Sequence, residues 1–119
     1  MRFDLIKCHG SGNDFPLIDA RASTLDDAAW AAVARALADR DGLVGGDGLL
    51  LLTGGDGDHA FGMRMFNSDG SESETCLNGL RCVARAGFVA TGTDTATALL
   101  KTSDAVVLRD ADIAAGVFT

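Results

Sequence analysis

The chain has 119 residues, a length that suits one domain, and its 47% hydrophobic and 23% charged residues are typical of a globular protein. The net charge of −7, with Lys7 and Lys101 as the only lysines, argues against nucleic acid and anionic membrane surfaces as partners. No apolar stretch reaches signal-peptide or transmembrane length, which predicts a cytoplasmic protein.

The first elements along the chain are two strands joined by a turn. Residues 2–8 alternate in the manner of a strand, residues 9–14 form a glycine-bearing turn, and a second strand covers about residues 15–19. Fifteen glycines and 15 aspartates, against only two glutamates, indicate that turns are frequent throughout the chain.

A helix follows, because the apolar spacing changes to that of one helix face. Ser23 or Thr24 can cap its start, Asp26 and Asp27 suit the positive end of its dipole, and Gly42 ends it. Its predicted apolar face consists of Leu25, Ala29, Trp30, Val33, Ala34 and Leu37.

The second half of the chain predicts strands on either side of one unusually apolar helix. That helix begins near Asn78, has apolar residues on two nearly opposite sides, and is interrupted only by Arg81 and Arg85. The strands are predicted at about residues 48–53, 60–67, 95–101, 104–109 and 113–118. A helix of this kind is normally buried on most sides, which predicts an α+β fold with a curved, mainly antiparallel sheet wrapped around a central helix.

Cys76 is the strongest candidate for chemistry because it directly precedes this second helix. Backbone N–H groups and the positive dipole end at a helix start stabilise a thiolate, so this position favours a cysteine that acts as a base or nucleophile. The same N–H groups, from about Leu77 to Gly79, can hold a carboxylate. Together with the amides of Asn13, Asn67 and Asn78, these features favour an amino-acid site.

Each candidate also has a simpler structural explanation. A cysteine before a helix is often only a small buried hydrophobic residue, and Asn78 suits the N-cap of the helix. Turn geometry explains Asn13 and Asn67 without a ligand. We expect Cys8 and Cys82 to belong to the core.

Other site classes are disfavoured by spacing. Three cysteines are an odd number in a chain without an export signal, which makes a disulfide framework improbable. His9 and His59 lack neighbours at metal-ligand spacing, so no metal site is expected. The glycine-rich residues 42–48 lack the ending of a P-loop.

Four blocks of residues follow one another along the chain. They are His9-Gly10-Ser11-Gly12-Asn13-Asp14-Phe15; Asp39-Arg40 with Gly45-Gly46-Asp47-Gly48-Leu49-Leu50; Met63-Arg64-Met65-Phe66-Asn67-Ser68-Asp69-Gly70-Ser71-Glu72; and Cys76-Leu77-Asn78-Gly79-Leu80-Arg81-Cys82. In their order, and nearly in their spacing, these blocks match those of diaminopimelate epimerases, so the sequence resembles that family, well over about residues 2–89 and more loosely beyond.

The resemblance implies one half of a two-domain fold in which each half is a barrel-like sheet around a central helix. Residues 1–119 would be the N-terminal half, without the C-terminal half. It also implies a cofactor-independent, metal-free epimerase that converts LL- to meso-diaminopimelate for lysine and peptidoglycan biosynthesis. In this mechanism one cysteine thiolate removes the α-proton and a second cysteine thiol, on the opposite face, returns a proton.

The family's site residues are carried over by position. Cys76 matches the catalytic cysteine of the first half, and Asn13, Asn67, Leu77 and Asn78 match substrate-binding residues. The second cysteine would belong to the C-terminal half, so the expected partners are the amino-acid substrate and either that half or another copy of the chain.

Two departures from the family pattern leave the substrate open. Leu77 stands where the family usually has Gly, and Gly48 stands where it has Gln. The alternatives are another isomerase of the same fold, of the proline racemase or phenazine-biosynthesis type, and a catalytically silent binding or assembly module. Proline racemases are expected to have a Cys-Gly-His pattern where this chain has Cys76-Leu77-Asn78, so Asn78 favours the epimerase.

Overall fold

The computed structural model describes residues 5–10, 12–42, 44–57, 59–74, 77–92, 95–100, 104–108 and 117–118. The helices are α1 (Asp27–Ala38) and α2 (Leu77–Thr91). The strands are β1 (Leu5–Gly10), β2 (Asn13–Asp19), β3 (Leu49–Gly54), β4 (Phe61–Phe66), β5 (Glu72–Ser73), β6 (Thr95–Leu99), β7 (Asp104–Leu108) and β8 (Val117–Phe118). Six of the predicted strands are confirmed to within a few residues, and β5 was not predicted. The seventh, at residues 113–118, lies outside the described residues except for 117–118.

One sheet contains all the described strands, in the order β1-β2-β3-β4-β6-β7-β8, with β5 paired to β4. Its pairs are antiparallel except β2 with β3 and β4 with β6, which are parallel. The fold is therefore α+β with a mainly antiparallel sheet, as predicted.

The helix α2 covers one face of this sheet and contacts five of its strands. Leu80, Val83 and Phe88 are buried there among alternate residues of β2, β3 and β4. The approach is close at Gly87, where a Cβ atom would lie 2.6 Å from ring atoms of Phe61. This face is the main core, and the central position of α2 agrees with the prediction.

Only part of α2 is buried, in contrast to the expectation of a helix apolar on nearly all sides. Val89, which we assigned to a second buried stripe, is 82% exposed. It lies four and eight residues after Arg85 and Arg81, which are also exposed, so the i, i+4 spacing places all three on one solvent-facing stripe. Cys82 is buried, as predicted.

The helix α1 covers the opposite face of the sheet. Trp30 and Ala34 pack there on Leu49, Leu51 and Phe66, and Leu25, Val33 and Leu37 pack partly against the same cluster. Because both faces are covered, residues 49–52 of β3 are all almost completely buried.

The predicted bounds of α1 were too wide. The N-cap is Asp26, whose side chain accepts a hydrogen bond from Ala29 N at 2.8 Å, and the helix ends at Ala38 rather than near Gly42. Neither Ser23 nor Thr24 is the cap, because Asp26 is the residue one position ahead of the helical backbone and has the stronger acceptor. Within the described ranges, neither helix is long and apolar enough to cross a membrane.

Candidate active site

The strand ends that carry the predicted site residues meet at one rim of the sheet. Gly10 of β1 pairs with Asn13 at the start of β2, and Leu49 at the start of β3 pairs with Phe66 at the end of β4. Since β2 and β3 are parallel, their starts lie on the same side of the sheet. We call the ends of these four strands the rim.

The start of α2 is joined to the rim by a contact between two of the predicted residues. Asn78 Nδ2 donates a hydrogen bond of 2.5 Å to Asn13 Oδ1, across 65 residues of sequence. Asn78 is the second residue of α2, so it is not the N-cap that position alone suggested. Two of the candidate substrate-binding side chains are thus in direct contact.

Asn13 is also bonded to a residue that sequence reasoning did not select. Its Nδ2 donates to Asp47 Oδ2 at 3.1 Å, and the same oxygen accepts from the backbone N–H of Asp14 at 3.0 Å. Arg40 donates to the other oxygen, Asp47 Oδ1, at 2.8 Å. The only sequence signal for Asp47 and Arg40 was their presence in the blocks that resemble the family.

Asp14 forms ion pairs with both positively charged side chains of this network, Lys7 and Arg40. Arg40 donates to both of its oxygens, at 2.7 and 2.9 Å, and the Lys7 ammonium lies 3.0 Å from Asp14 Oδ2. Hydrogen bonds from Arg40 and then Lys7 hold the pKa of the Asp14 carboxyl far below its ordinary value of 3.8. We refer to Lys7, Asn13, Asp14, Arg40, Asp47 and Asn78 together as the rim network.

The pKa of Asp47 is also lowered. The main causes are the hydrogen bond from the backbone N–H of Asp14 and the one from the Asn13 side chain, and Arg40 contributes further. Both carboxyls are therefore ionised at neutral pH. An open groove of about 500 Å³ adjoins this network on the α1 side, where Arg35, Arg40 and Asp47 are among its lining residues.

Asn67 lies at the same rim, directly after β4, but in a local turn. Its backbone N–H donates to Ser71 O at 2.8 Å and its Nδ2 donates to Ser71 Oγ at 3.0 Å. Gly70 completes the turn with a φ of 92°, a conformation that favours glycine. The structure brings Asn67 to the rim by topology, and its substrate-binding role remains a prediction.

Two predicted site residues are described only in part or not at all. Cys76 lies outside the described residues. Leu77 begins α2, but its side chain lies outside the described part. The predicted roles of both residues remain predictions.

The other two cysteines form a pair between β1 and α2. Cys8 of β1 and Cys82 of α2 hydrogen-bond to each other, and Cys8 Sγ also donates to Phe15 O at 3.5 Å. The bond to Cys82, together with burial, raises the pKa of the Cys8 thiol well above its ordinary value. Cys82 belongs to the main core and Cys8 packs partly against it, as expected.

Gly48, one of the two departures from the family pattern, has a packing reason. A Cβ atom at this position would lie 2.6 Å from the carbonyl oxygen of Phe66, which is backbone and cannot move aside cheaply. A longer side chain therefore does not fit here without a shift of β3 against β4. The close packing of Gly48 against the backbone of Phe66 therefore disfavours a side-chain amide at position 48.

The family model and the curated relatives that match this chain all point to the same family. Residues 5–109 match the family model described as diaminopimelate epimerase. The chain is 46% identical over 87 residues to the diaminopimelate epimerase of Clostridium acetobutylicum, covering 71% of this chain and 26% of that protein. It is 54% identical over 79 residues to that of Acidiphilium cryptum, covering 66% of this chain and 27% of the relative.

A third relative covers nearly the whole chain. The diaminopimelate epimerase of Geobacillus kaustophilus is 37% identical over 117 residues, which is 98% of this chain and 40% of that protein. The chain thus spans well under half the length of the curated relatives that it matches.

Solved structures agree on the fold. The chain superposes on a phenazine biosynthesis protein of the PhzF family from Bacillus anthracis with a TM-score of 0.68, at 15% identity, over 91% of this chain and 36% of that one. It superposes on a "Predicted Epimerase" from Pseudomonas aeruginosa with a TM-score of 0.62, at 28% identity, over 80% of this chain and 32% of that one. The first likeness concerns the fold alone.

Proposed function

Because this chain belongs to the diaminopimelate epimerase family, we propose that it supplies one face of an amino-acid epimerase, with Cys76 as one of two acid/base thiols. The substrate is LL-diaminopimelate and the product is the meso form, a precursor for lysine and peptidoglycan. The activity belongs to the cytoplasm and uses neither a metal nor an organic cofactor.

The proposed step is a proton exchange at the α-carbon. The Cys76 thiolate removes the α-proton, and the electron pair of the C–H bond moves toward the substrate carboxylate. A second cysteine thiol then donates a proton to the opposite face of the same carbon, so that the configuration inverts. The α-carbon loses one proton to Cys76 and gains another from the second thiol, so the substrate changes configuration but not composition.

The rim network supports this proposal because it supplies what an amino acid needs. A substrate carboxylate can accept from amide NH₂ groups and from the N–H groups at the start of α2, which also lie where charge develops in the transition state. A substrate ammonium needs acceptors, which the amide oxygens of Asn13 and Asn78 offer. The Asn13–Asn78 contact, which joins the start of α2 to the rim, is the observation that carries the assignment.

The second thiol must come from elsewhere. Cys8 and Cys82 are hydrogen-bonded to each other, Cys82 within the main core and Cys8 packed partly against it. We therefore assign the second acid/base group to the C-terminal half of the same enzyme or to another copy of the chain. The shares of 26% and 40% by which the chain covers its relatives leave room for such a half.

The direct test is deuterium exchange at the substrate α-carbon. The protein made from its complete gene is incubated in deuterated water with LL-diaminopimelate, and separately with proline. We expect deuterium at the α-carbon of diaminopimelate, and a loss of at least a thousandfold in Cys76→Ala. The matched control Cys82→Ala should exchange within about threefold of the wild type, because Cys82 is a small core residue.

Several outcomes would contradict the proposal. Exchange with proline alone would favour a racemase of the same fold. No exchange with either substrate would favour a silent binding module, and unchanged exchange in Cys76→Ala would remove that residue from the mechanism.

The state of the thiol gives an independent check. Cys76 should react with iodoacetamide at lower pH than Cys8, since a thiolate at a helix start has a depressed pKa, whereas the hydrogen bond with Cys82 and burial raise the pKa of Cys8. The modified cysteine is identified by peptide mass. Equal pH dependence at the two sites would count against an activated thiolate.

A further inference from the structure

The orientation of the Asn13 side chain is set by its two partners. A carboxylate can only accept hydrogen bonds, so the contact between Asp47 Oδ2 and Asn13 requires the NH₂ end of the amide. Asn13 Oδ1 is then directed to the NH₂ group of Asn78. If the Asn13 amide were turned by 180°, its oxygen would face a carboxylate and its NH₂ group would face another NH₂ group.

Hydrogen bonds to both its backbone and its side chain hold Asp47 in place. Its Oδ2 accepts from the backbone N–H of Asp14, and its own backbone N–H donates to Asp14 O at 2.8 Å. Arg40 binds its other oxygen. Both the backbone and the side chain of Asp47 are therefore anchored to the start of β2, next to the amide that it orients.

We infer that Asp47 is a positioning residue that fixes the donor and acceptor ends of Asn13, and through Asn13 those of Asn78, toward the substrate. This inference rests on the proposed function, because the amides matter only if an amino acid binds between them. Asp47 does not touch the substrate. Its effect arises because a charged ammonium and a charged carboxylate each tolerate only one end of an amide.

The test uses variants that separate the hydrogen bond to Asn13 from the charge. Asp47→Ala removes the acceptor and should raise the KM for diaminopimelate about tenfold, while kcat changes less than threefold. Asp47→Asn can still place an oxygen toward Asn13, with its NH₂ group toward Arg40, and should restore KM to within about threefold of the wild type. As a control outside the rim network, Arg21→Met breaks the ion pair with Asp19 and should leave KM within about threefold of the wild type.

A double-mutant cycle shows whether Asp47 acts through Asn13. In the Asn13→Ala background, Asp47→Ala should add little to the rise in KM, because the amide that it orients is already gone. Equal effects of Asp47→Ala in both backgrounds would overturn the inference. So would a failure of Asp47→Asn to improve on Asp47→Ala, which would show that only the negative charge matters.

A readout without catalysis separates this inference from the proposed function. Selective nitrogen-15 labelling of asparagine displays the side-chain amide signals, and the pair of signals that disappears in Asn13→Ala identifies Asn13. Asp47→Ala should shift the Asn13 NH₂ resonances and Asp47→Asn should shift them less. If the wild type exchanges no deuterium, the proposed function fails, and an unmoved Asn13 signal then overturns the positioning role separately.

Discussion

Two clusters of polar side chains lie on this sheet, and they are built differently. Around Arg64 of β4, the guanidinium donates to both oxygens of Glu72 at 2.9 and 3.0 Å and to Asp27 at 2.8 Å. It also lies 5.0 Å from the centre of the Phe66 ring. The rim network has charge pairs of the same kind, but it ends in the two amides of Asn13 and Asn78.

The difference shows which cluster can exchange partners with a ligand. The Arg64 cluster joins α1 and β5 to β4, and its charged groups already satisfy one another, so it has a structural role. An amide–amide bond is weaker than a charge-assisted one and can be replaced by bonds to a charged amino acid. We therefore expect changes in the rim amides to affect activity and changes around Arg64 to affect stability.

The largest expected effect is on activity. Asn78→Ala should lower kcat/KM for diaminopimelate about a hundredfold, or about 2.7 kcal/mol, because the amide contributes to binding and orientation at the start of α2. Unfolding free energy should change by less than about 1 kcal/mol, since alanine is a better helix former than asparagine. Steady-state kinetics and urea unfolding measure the two quantities on the same preparation.

Glu72→Gln is the matched control, because it alters the other cluster and leaves the rim intact. It should leave kcat/KM within about threefold while lowering stability. If Asn78→Ala instead lost stability and kept its activity, the assignment of roles to the two clusters would be reversed.

The next effect is on stability. Arg64→Met should lower the free energy of unfolding by about 1–2 kcal/mol, a value reduced from that of a buried ion pair because the Arg64 side chain is 27% exposed. The loss arises because Glu72 and Asp27 are left as unpaired carboxylates. Arg64→Lys should recover only part of it, since lysine cannot bind Glu72 through two parallel hydrogen bonds.

Urea unfolding at constant salt is the measurement, with kcat/KM as the companion readout. A loss of activity in Arg64→Met that exceeds its loss of folded protein would show that this cluster also supports the site.

The fold could be predicted from the sequence more closely than the site. Strand alternation and helix spacing are local, so the positions of β3, β4 and α2 were predicted closely. The start of α1 was missed because Ser23, Thr24 and Asp26 are all acceptable caps, and tertiary packing decides which residue begins the helix. Val89 was misassigned because composition alone does not show which side of a helix meets the sheet.

The rim network was beyond prediction from local patterns. The Asn13–Asn78 bond joins residues 65 positions apart, and Asn13 and Asp47 are 34 apart. Asp14 and Asp47 looked like ordinary turn residues in a chain with 15 aspartates. Only the parallel pairing of β2 with β3 places Asp47 beside Asp14 and so makes Asp47 a partner for Asn13.

Acid should weaken the rim network as its carboxylates take up protons. The folded pKa values of Asp14 and Asp47 lie below the unfolded value of 3.8, so the unfolded state binds more protons below about pH 4. Their contribution is fully present above that pH and is lost as the pH falls toward the folded values. Asp14→Asn, which lacks one of these carboxyls, should lose less stability than the wild type between about pH 4 and pH 2.

Thermal unfolding of both proteins at several pH values tests this expectation. Parallel curves for the wild type and Asp14→Asn across the acid range would show that Asp14 is not the linked group.

The smallest expected effect comes from the outermost member of the Arg64 cluster. Asp27 bonds to Arg64 at 2.8 Å, but its side chain is 83% exposed, so solvent screens the pair. Asp27→Asn should lower the free energy of unfolding by no more than about 0.5 kcal/mol, and the difference should shrink in high salt. Asp27 is also the first residue of α1, where a negative charge favours the helix dipole, so Asp27→Glu is the control that keeps the charge. If Asp27→Asn cost as much as Arg64→Met, Asp27 rather than Glu72 would be the main partner of Arg64, and the cluster would hold α1 more strongly than β5.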